Sequence, residues 1–190
     1  METIRWFGQQ PEKQLIVKIH PAEVVIGTKQ PFISEIRKHF PEIPDNVRVI
    51  EPDEKVNSWS IIRITDVGLV HTSTVGLEMP LEGVPCVVVS RTHYRGKGFT
   101  LDVENRDDYF KLLSEFDPKS VDTASMVGLA RRYAYLLFER YQIPFPFTHE
   151  RQTYDVRALK EVSSADLLKD ESIQAIIDGL ENHSELLLPE

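Results

Sequence analysis

The residues best suited to hold an anionic ligand lie in the stretch "HTSTVGLE", His71 to Glu78. Thr72, Ser73 and Thr74 place three consecutive hydroxyls where the apolar run "DVGLV" gives way to a helix-like segment. Hydroxyls and unpaired backbone N–H groups at a helix start hold phosphate, helped by the helix dipole. The same hydroxyls also cap helices with no ligand present. A capping box needs its acid three residues after the cap, and Thr74 plus three is Leu77. Glu78 stands one position further on, sharing a helix face with Thr74. That arrangement can grip a phosphate with one residue and a ribose hydroxyl with the other, or simply set a first-turn carboxylate against the dipole.

Two other places carry comparable chemistry. His20 stands directly before Pro21, which favours an extended backbone and lets the ring project from the end of "QLIVKIHP". A histidine there can donate to phosphate or serve the structure alone. Glu23 can orient a ligand hydroxyl or remain solvated. The stretch "SRTHYRGKGFT" brings Arg91, Arg95, Lys97, Tyr94 and two glycines together, a flexible basic loop suited to a phosphate group or an ordinary solvated one. No HExxH, GxSxG or Walker pattern occurs, and no metal site is expected. His39, His149 and His183 read as peripheral.

These residues need elements to position them. Short apolar runs at Leu15–Ile19, Val47–Ile50, "DVGLV" and "PCVVVS" read as strands. "PFISEIRKHF", "NSWSIIRIT", "TVGLEMPLEGV" and "NRDDYFKLLSEF" read as helices, with Asn57 or Ser58 as one cap and Gly83 as one stop. Strands alternating with helices predict an α/β fold, with a Rossmann-like parallel sheet and flanking helices. Ligands of such sheets bind beyond the carboxyl ends of the strands. All four expected ends are polar, which favours one shared site. After Pro118 the pattern turns helical. "VDTASMVGLARRYAYLLFERY" sets Met126, Val127, Ala130, Ala134, Leu137, Phe138 and Tyr141 on one apolar stripe expected in the core. Ser164 to Leu180 reads as a last helix. The expected division is a Rossmann-like ligand-binding lobe over 1–118, which the resemblance drawn below makes nucleotide-sugar-binding, and a helical extension over 119–190.

Composition narrows the partners. The chain has 190 residues, 41% hydrophobic and 27% charged, with a net charge of −8. That acidity argues against sequence-independent nucleic-acid binding. A single cysteine, Cys86, lies in an apolar run and reads as a small buried hydrophobe, so no disulfide framework is expected. "METIRWFGQQPEKQ" has no long apolar stretch, so neither a signal peptide nor an anchor is expected there. The expected location is cytoplasmic, with the inner face of the membrane left open. "TIRWFGQQPE" reads as the tail of a helix that a doubly wound domain would precede with another strand.

Three blocks, "LIVKIHPAE", "TDVGLVHTSTVGLEMPLEGVPCVVV" and "HYRGKGFTLDVENRDDYFKLL", together resemble the nucleotide-binding C-terminal lobe of GT-B glycosyltransferases. The likeness is above all to capsule and surface polysaccharide biosynthesis enzymes, including the Kdo- and sialyltransferase-like groups with an HP motif and a Ser/Thr motif. It covers about Leu15 to Phe116. The resemblance implies donor-phosphate contacts at His20 and the Ser73–Thr74 region, and a ribose contact at Glu78. It also implies metal-independent transfer from a nucleotide sugar, CMP- or UDP-linked, to a glycan or lipid-linked acceptor. Met79-Pro80 departs from the small residues usual after the glutamate and is expected to kink the helix. The family's N-terminal acceptor lobe is not recognisable, so the chain alone is expected to bind nucleotide weakly and turn over little. A partner chain or homo-oligomer could complete it. Rival readings are a teichoic-acid-type glycerophosphotransferase, a nucleotide-sugar epimerase lobe, or a non-catalytic α/β interaction module.

Overall fold

The computed structural model describes residues 1–147 and 160–186. His149 lies outside them. The described chain is α/β, with every strand pair parallel. It divides into two compact units, Met1–Ile61 and Ile62–Glu190.

In the first unit the order is α1 (Glu2–Gly8), β1 (Leu15–Lys18), α2 (Ala22–Ile26), α3 (Phe32–His39) and β2 (Val47–Ile50), with α4 (Ser58–Ile62) at the boundary. Strands β1 and β2 pair in parallel, Leu15 against Val47 through Lys18 against Ile50. α1 buries Ile4 and Phe7. Its end is fastened by Asn46, whose Nδ2 donates to the carbonyls of Phe7, Gln10 and Lys13 at 2.7, 3.0 and 2.8 Å. One side chain, its two N–H bonds shared among three carbonyls, thus ties the end of α1 and the turn after it to the residue before β2. α3 inserts Ile36, which is fully buried. Asn57 caps α4 by accepting from the Trp59 N–H at 2.9 Å.

The second unit holds β3 (Gly68–Val70), α5 (Val75–Leu81), β4 (Cys86–Val88), β5 (Leu101–Asp102), α6 (Arg106–Glu115), α7 (Thr123–Tyr135), α8 (Ser164–Leu167) and α9 (Glu171–Asn182). Its sheet has the order β3-β4-β5. β5, only two residues long, gives no periodic signal and was not expected from the sequence. Val70, Leu77, Cys86, Val88, Tyr94, Phe99, Met126 and Ala130 form the core, so α5 and α7 both pack on the sheet residues. Pro80 falls in the last turn of α5 and is buried, and the helix ends one residue later. The proline therefore terminates the helix rather than bending its middle. The chain then reverses through Gly83 at φ +81°.

The apolar stripe expected on the long helix is only partly core. Met126 and Ala130 are buried, whereas Phe138 and Tyr141 are 55% and 49% exposed. From Leu136 to Arg140 the helix takes a π turn, with the Tyr141 N–H donating to the Leu136 carbonyl at 2.9 Å. A π turn fits one extra residue into the turn, so side chains beyond it fall out of phase with the stripe before it. The expected last helix is broken into α8 and α9, because Asp170 caps a new helix by accepting from the N–H groups of Ser172 and Ile173.

Candidate functional site

The carboxyl end of β3 leads into an exposed turn of Thr72, Ser73 and Thr74. Ser73 Oγ accepts from the Val75 N–H at 3.3 Å. The Ser73 carbonyl accepts from the Gly76 N–H at 3.1 Å, and the Thr74 carbonyl from the Leu77 N–H at 2.8 Å. The first N–H groups of α5 are therefore spent inside the turn. The expected seat of free helix-start N–H groups is not present, because the helix opens with tight i→i+3 bonds. What stays available are the three hydroxyls and the N–H groups of Ser73 and Thr74, which have no acceptor among the described residues. Thr74 Oγ1 donates to Glu78 Oε1 at 3.3 Å, as their shared face led one to expect. That is long for an O–H···O bond, so both groups keep capacity for an outside partner.

The turn is held from behind. Tyr94 is fully buried, and its hydroxyl donates to the Ser73 carbonyl at 2.6 Å. Burial first, and then the electrostatic influence of Cys86 and Asp102, raises the Tyr94 pKa above its ordinary value, so it stays a donor. α5 can approach because position 76 is glycine: a Cβ there would lie 2.3 Å from the Tyr94 hydroxyl oxygen and 2.8 Å from Val70 Cγ2. Tyr94 thus positions the turn and does not face outward itself. Ser90 Oγ donates to the His71 carbonyl, joining the ends of β4 and β3. Arg91 follows Ser90 in the chain, as Thr72 follows His71.

The stretch from Ser90 to Thr100 is tied down, contrary to the flexible loop expected. Arg95 donates to the Val88 carbonyl at 2.9 Å, the Val103 carbonyl at 2.7 Å and Glu104 Oε1 at 2.7 Å. Asp102 accepts from the Gly96 N–H and the Thr100 hydroxyl, both at 2.7 Å. Gly96 and Gly98 have φ of +73° and +82°, the left-handed region that lets the loop close so tightly. Of its three cations, Arg95 is therefore structural. Arg91 and Lys97 are exposed and have no ion-pair partner among the described residues.

His93 and Tyr133 were not singled out from the sequence. His93 Nδ1 lies 2.7 Å from the Tyr133 hydroxyl, which also donates to the His93 carbonyl at 2.9 Å. The residues are forty positions apart, and no local pattern announces such a pair.

His20 and Glu23 belong to the first unit. His20 Nδ1 accepts from the Ala22 N–H at 3.0 Å, so a neutral ring carries its proton on Nε2 and offers it as a donor. Glu23 Oε1 accepts from the Phe32 N–H at 2.7 Å and caps α3.

A cleft of about 640 Å³ opens elsewhere in the second unit, at the amino end of β5 between α6 and α7. Its rim carries Asp108, Glu115, Asp117 and Asp122 against Lys111. That balance repels an anion, and Asp117 and Asp122 already accept from the N–H groups of Lys119 and Ser125. None of the expected site residues lines it. Among the described residues no group of three or more His, Cys, Asp or Glu could hold a metal, and no helix is long and apolar enough to cross a membrane.

Residues 5–141 match the family model of capsule polysaccharide biosynthesis proteins. The chain belongs to that family. No curated protein and no solved structure matches it. Within this capsule biosynthesis protein the family match runs from α1 to the end of the π turn. It includes every strand of the described residues and all of the site residues expected from the sequence.

Proposed function

We propose that this capsule biosynthesis protein binds a nucleotide-sugar donor for glycosyl transfer, in the manner of a GT-B donor lobe. The observation that carries the reading is the exposed Thr72–Thr74 turn at the carboxyl end of β3, fixed from behind by Tyr94 and flanked by Arg91. Hydroxyls and N–H groups held in place lose little freedom on binding an anion, and a free guanidinium adds a charge-assisted partner. Thr74 and Glu78 serve phosphate and ribose hydroxyl respectively. His20, within the first unit, offers Nε2–H as a donor to phosphate on its own. Tyr94 takes part only through Ser73. Glu23 acts by capping α3.

The test is calorimetric titration of the 190-residue chain with CMP, UDP, GDP and inorganic phosphate. Saturable binding of one nucleotide, weakened about threefold to tenfold in Thr74→Val, is the expected outcome. His20→Ala tests separately whether the first unit by itself holds phosphate. Absence of saturable binding by every nucleotide would sink the reading.

A further inference from the structure

Tyr133 has one hydroxyl proton and two partners on the same residue, the His93 carbonyl at 2.9 Å and His93 Nδ1 at 2.7 Å. A carbonyl can only accept. If the proton went to Nδ1, two oxygens would face each other at 2.9 Å with no hydrogen between them. Both contacts are satisfied only when the Tyr133 hydroxyl donates to the carbonyl and accepts from Nδ1–H. Burial raises the Tyr133 pKa, with a further contribution from Tyr141, so the hydroxyl keeps its proton. In the neutral ring the lone pair then sits on Nε2, which has no partner among the described residues. His93 is exposed, yet its ring is held by two tyrosines. It stacks on Tyr133 at 5.9 Å and meets Tyr94 edge-on at 5.0 Å, and its backbone lies in the loop that Arg95 anchors. A surface imidazole needs no such control of its tautomer in water.

The His93 ring meets the Tyr94 ring, whose hydroxyl holds the Ser73 carbonyl, so a single tyrosine ring links His93 to the hydroxyl turn. The donors there are hydroxyls, N–H groups and cations. His93, when its ring is neutral, adds an acceptor of fixed direction. We infer that His93 Nε2 accepts a hydrogen bond from a hydroxyl of the bound ligand, a ribose or sugar hydroxyl, with Tyr133 as the residue that fixes its tautomer. This rests on the nucleotide-binding reading above.

The chain labelled with ¹⁵N-histidine tests it by NMR, with the nucleotide that binds in calorimetry as probe. His93 is expected as the Nδ1–H tautomer, with an Nε2 signal that moves on adding nucleotide, and Tyr133→Phe is expected to release the tautomer. His93→Ala keeps the Tyr133 bond to the backbone carbonyl, so its thermal midpoint should stay near wild type. Its nucleotide affinity should nevertheless fall about threefold to tenfold. An Nε2–H tautomer in the free protein, or unchanged affinity in His93→Ala, would overturn the inference while leaving nucleotide binding intact. If wild type binds no nucleotide, the underlying reading fails and this one with it.

Discussion

The hydroxyl of Tyr94, twenty-one residues beyond Ser73 in sequence, donates to the Ser73 carbonyl at 2.6 Å. A buried core residue therefore sets the backbone of an exposed turn. Tyr94→Phe keeps the ring and removes only that bond. It should cost about 0.5–1.5 kcal/mol in urea denaturation. Nucleotide affinity should drop as well, although Tyr94 is buried and faces no ligand. Unchanged affinity with reduced stability would confine Tyr94 to the core.

Gly76 makes the same contact possible from the other side. A Cβ at this position would meet the Tyr94 hydroxyl oxygen at 2.3 Å and its Cζ at 2.8 Å. Neither can withdraw, because the ring is enclosed and the hydroxyl is bonded. Gly76→Ala should destabilise by about 1–3 kcal/mol through overpacking, despite alanine's better helix propensity. A thermal midpoint at or above wild type would contradict this packing.

How much of this could be read from the sequence follows from the range of the interactions. The runs around β1 to β4 and helix α6 announce themselves by period and punctuation, and β2 has the expected bounds, Val47–Ile50. The Thr74–Glu78 contact was legible because it depends only on helix geometry. β5 was not, since two residues carry no period. Nor was the π turn, which rotates Phe138 and Tyr141 off a stripe that looks continuous as an α-helix. The basic loop read as flexible because Arg95 and Asp102 show their purpose only once β4 and β5 stand side by side. The use of the α5 N–H groups within their own turn is likewise invisible in residue types.

Arg95 offers a clean separation of two kinds of bond. Its guanidinium is largely buried and donates to the Val88 and Val103 carbonyls, while its ionic partner Glu104 is 81% exposed. An exposed carboxylate is screened and contributes little. Arg95→Ala should cost about 2–3 kcal/mol, because buried carbonyls at the ends of β4 and β5 lose a charged donor. Glu104→Gln should stay within about 0.5 kcal/mol of wild type. Comparable losses in the two variants would show that the ion pair, rather than the carbonyl contacts, closes the loop.

Cys86 gives a prediction in pH. The thiol is fully buried at the start of β4, and burial, with a smaller contribution from Asp102, pushes its pKa from the ordinary 9.0 up to about 12. Below pH 9 the folded and unfolded chains both hold this proton, so its ionisation does not affect stability. Between pH 9 and about 12 the unfolded thiol ionises while the folded one cannot, and the proton count then favours unfolding. Wild type should therefore lose stability relative to Cys86→Ala as pH rises above 9, by up to about 1.4 kcal/mol per pH unit. Parallel urea titrations of the two proteins from pH 8 to pH 11 would show it as converging midpoints. The same burial keeps Cys86 unreactive toward iodoacetamide at pH 7 until urea unfolds the chain. Rapid alkylation of the folded protein, or midpoints that stay parallel through pH 11, would show that the thiol is reached by solvent.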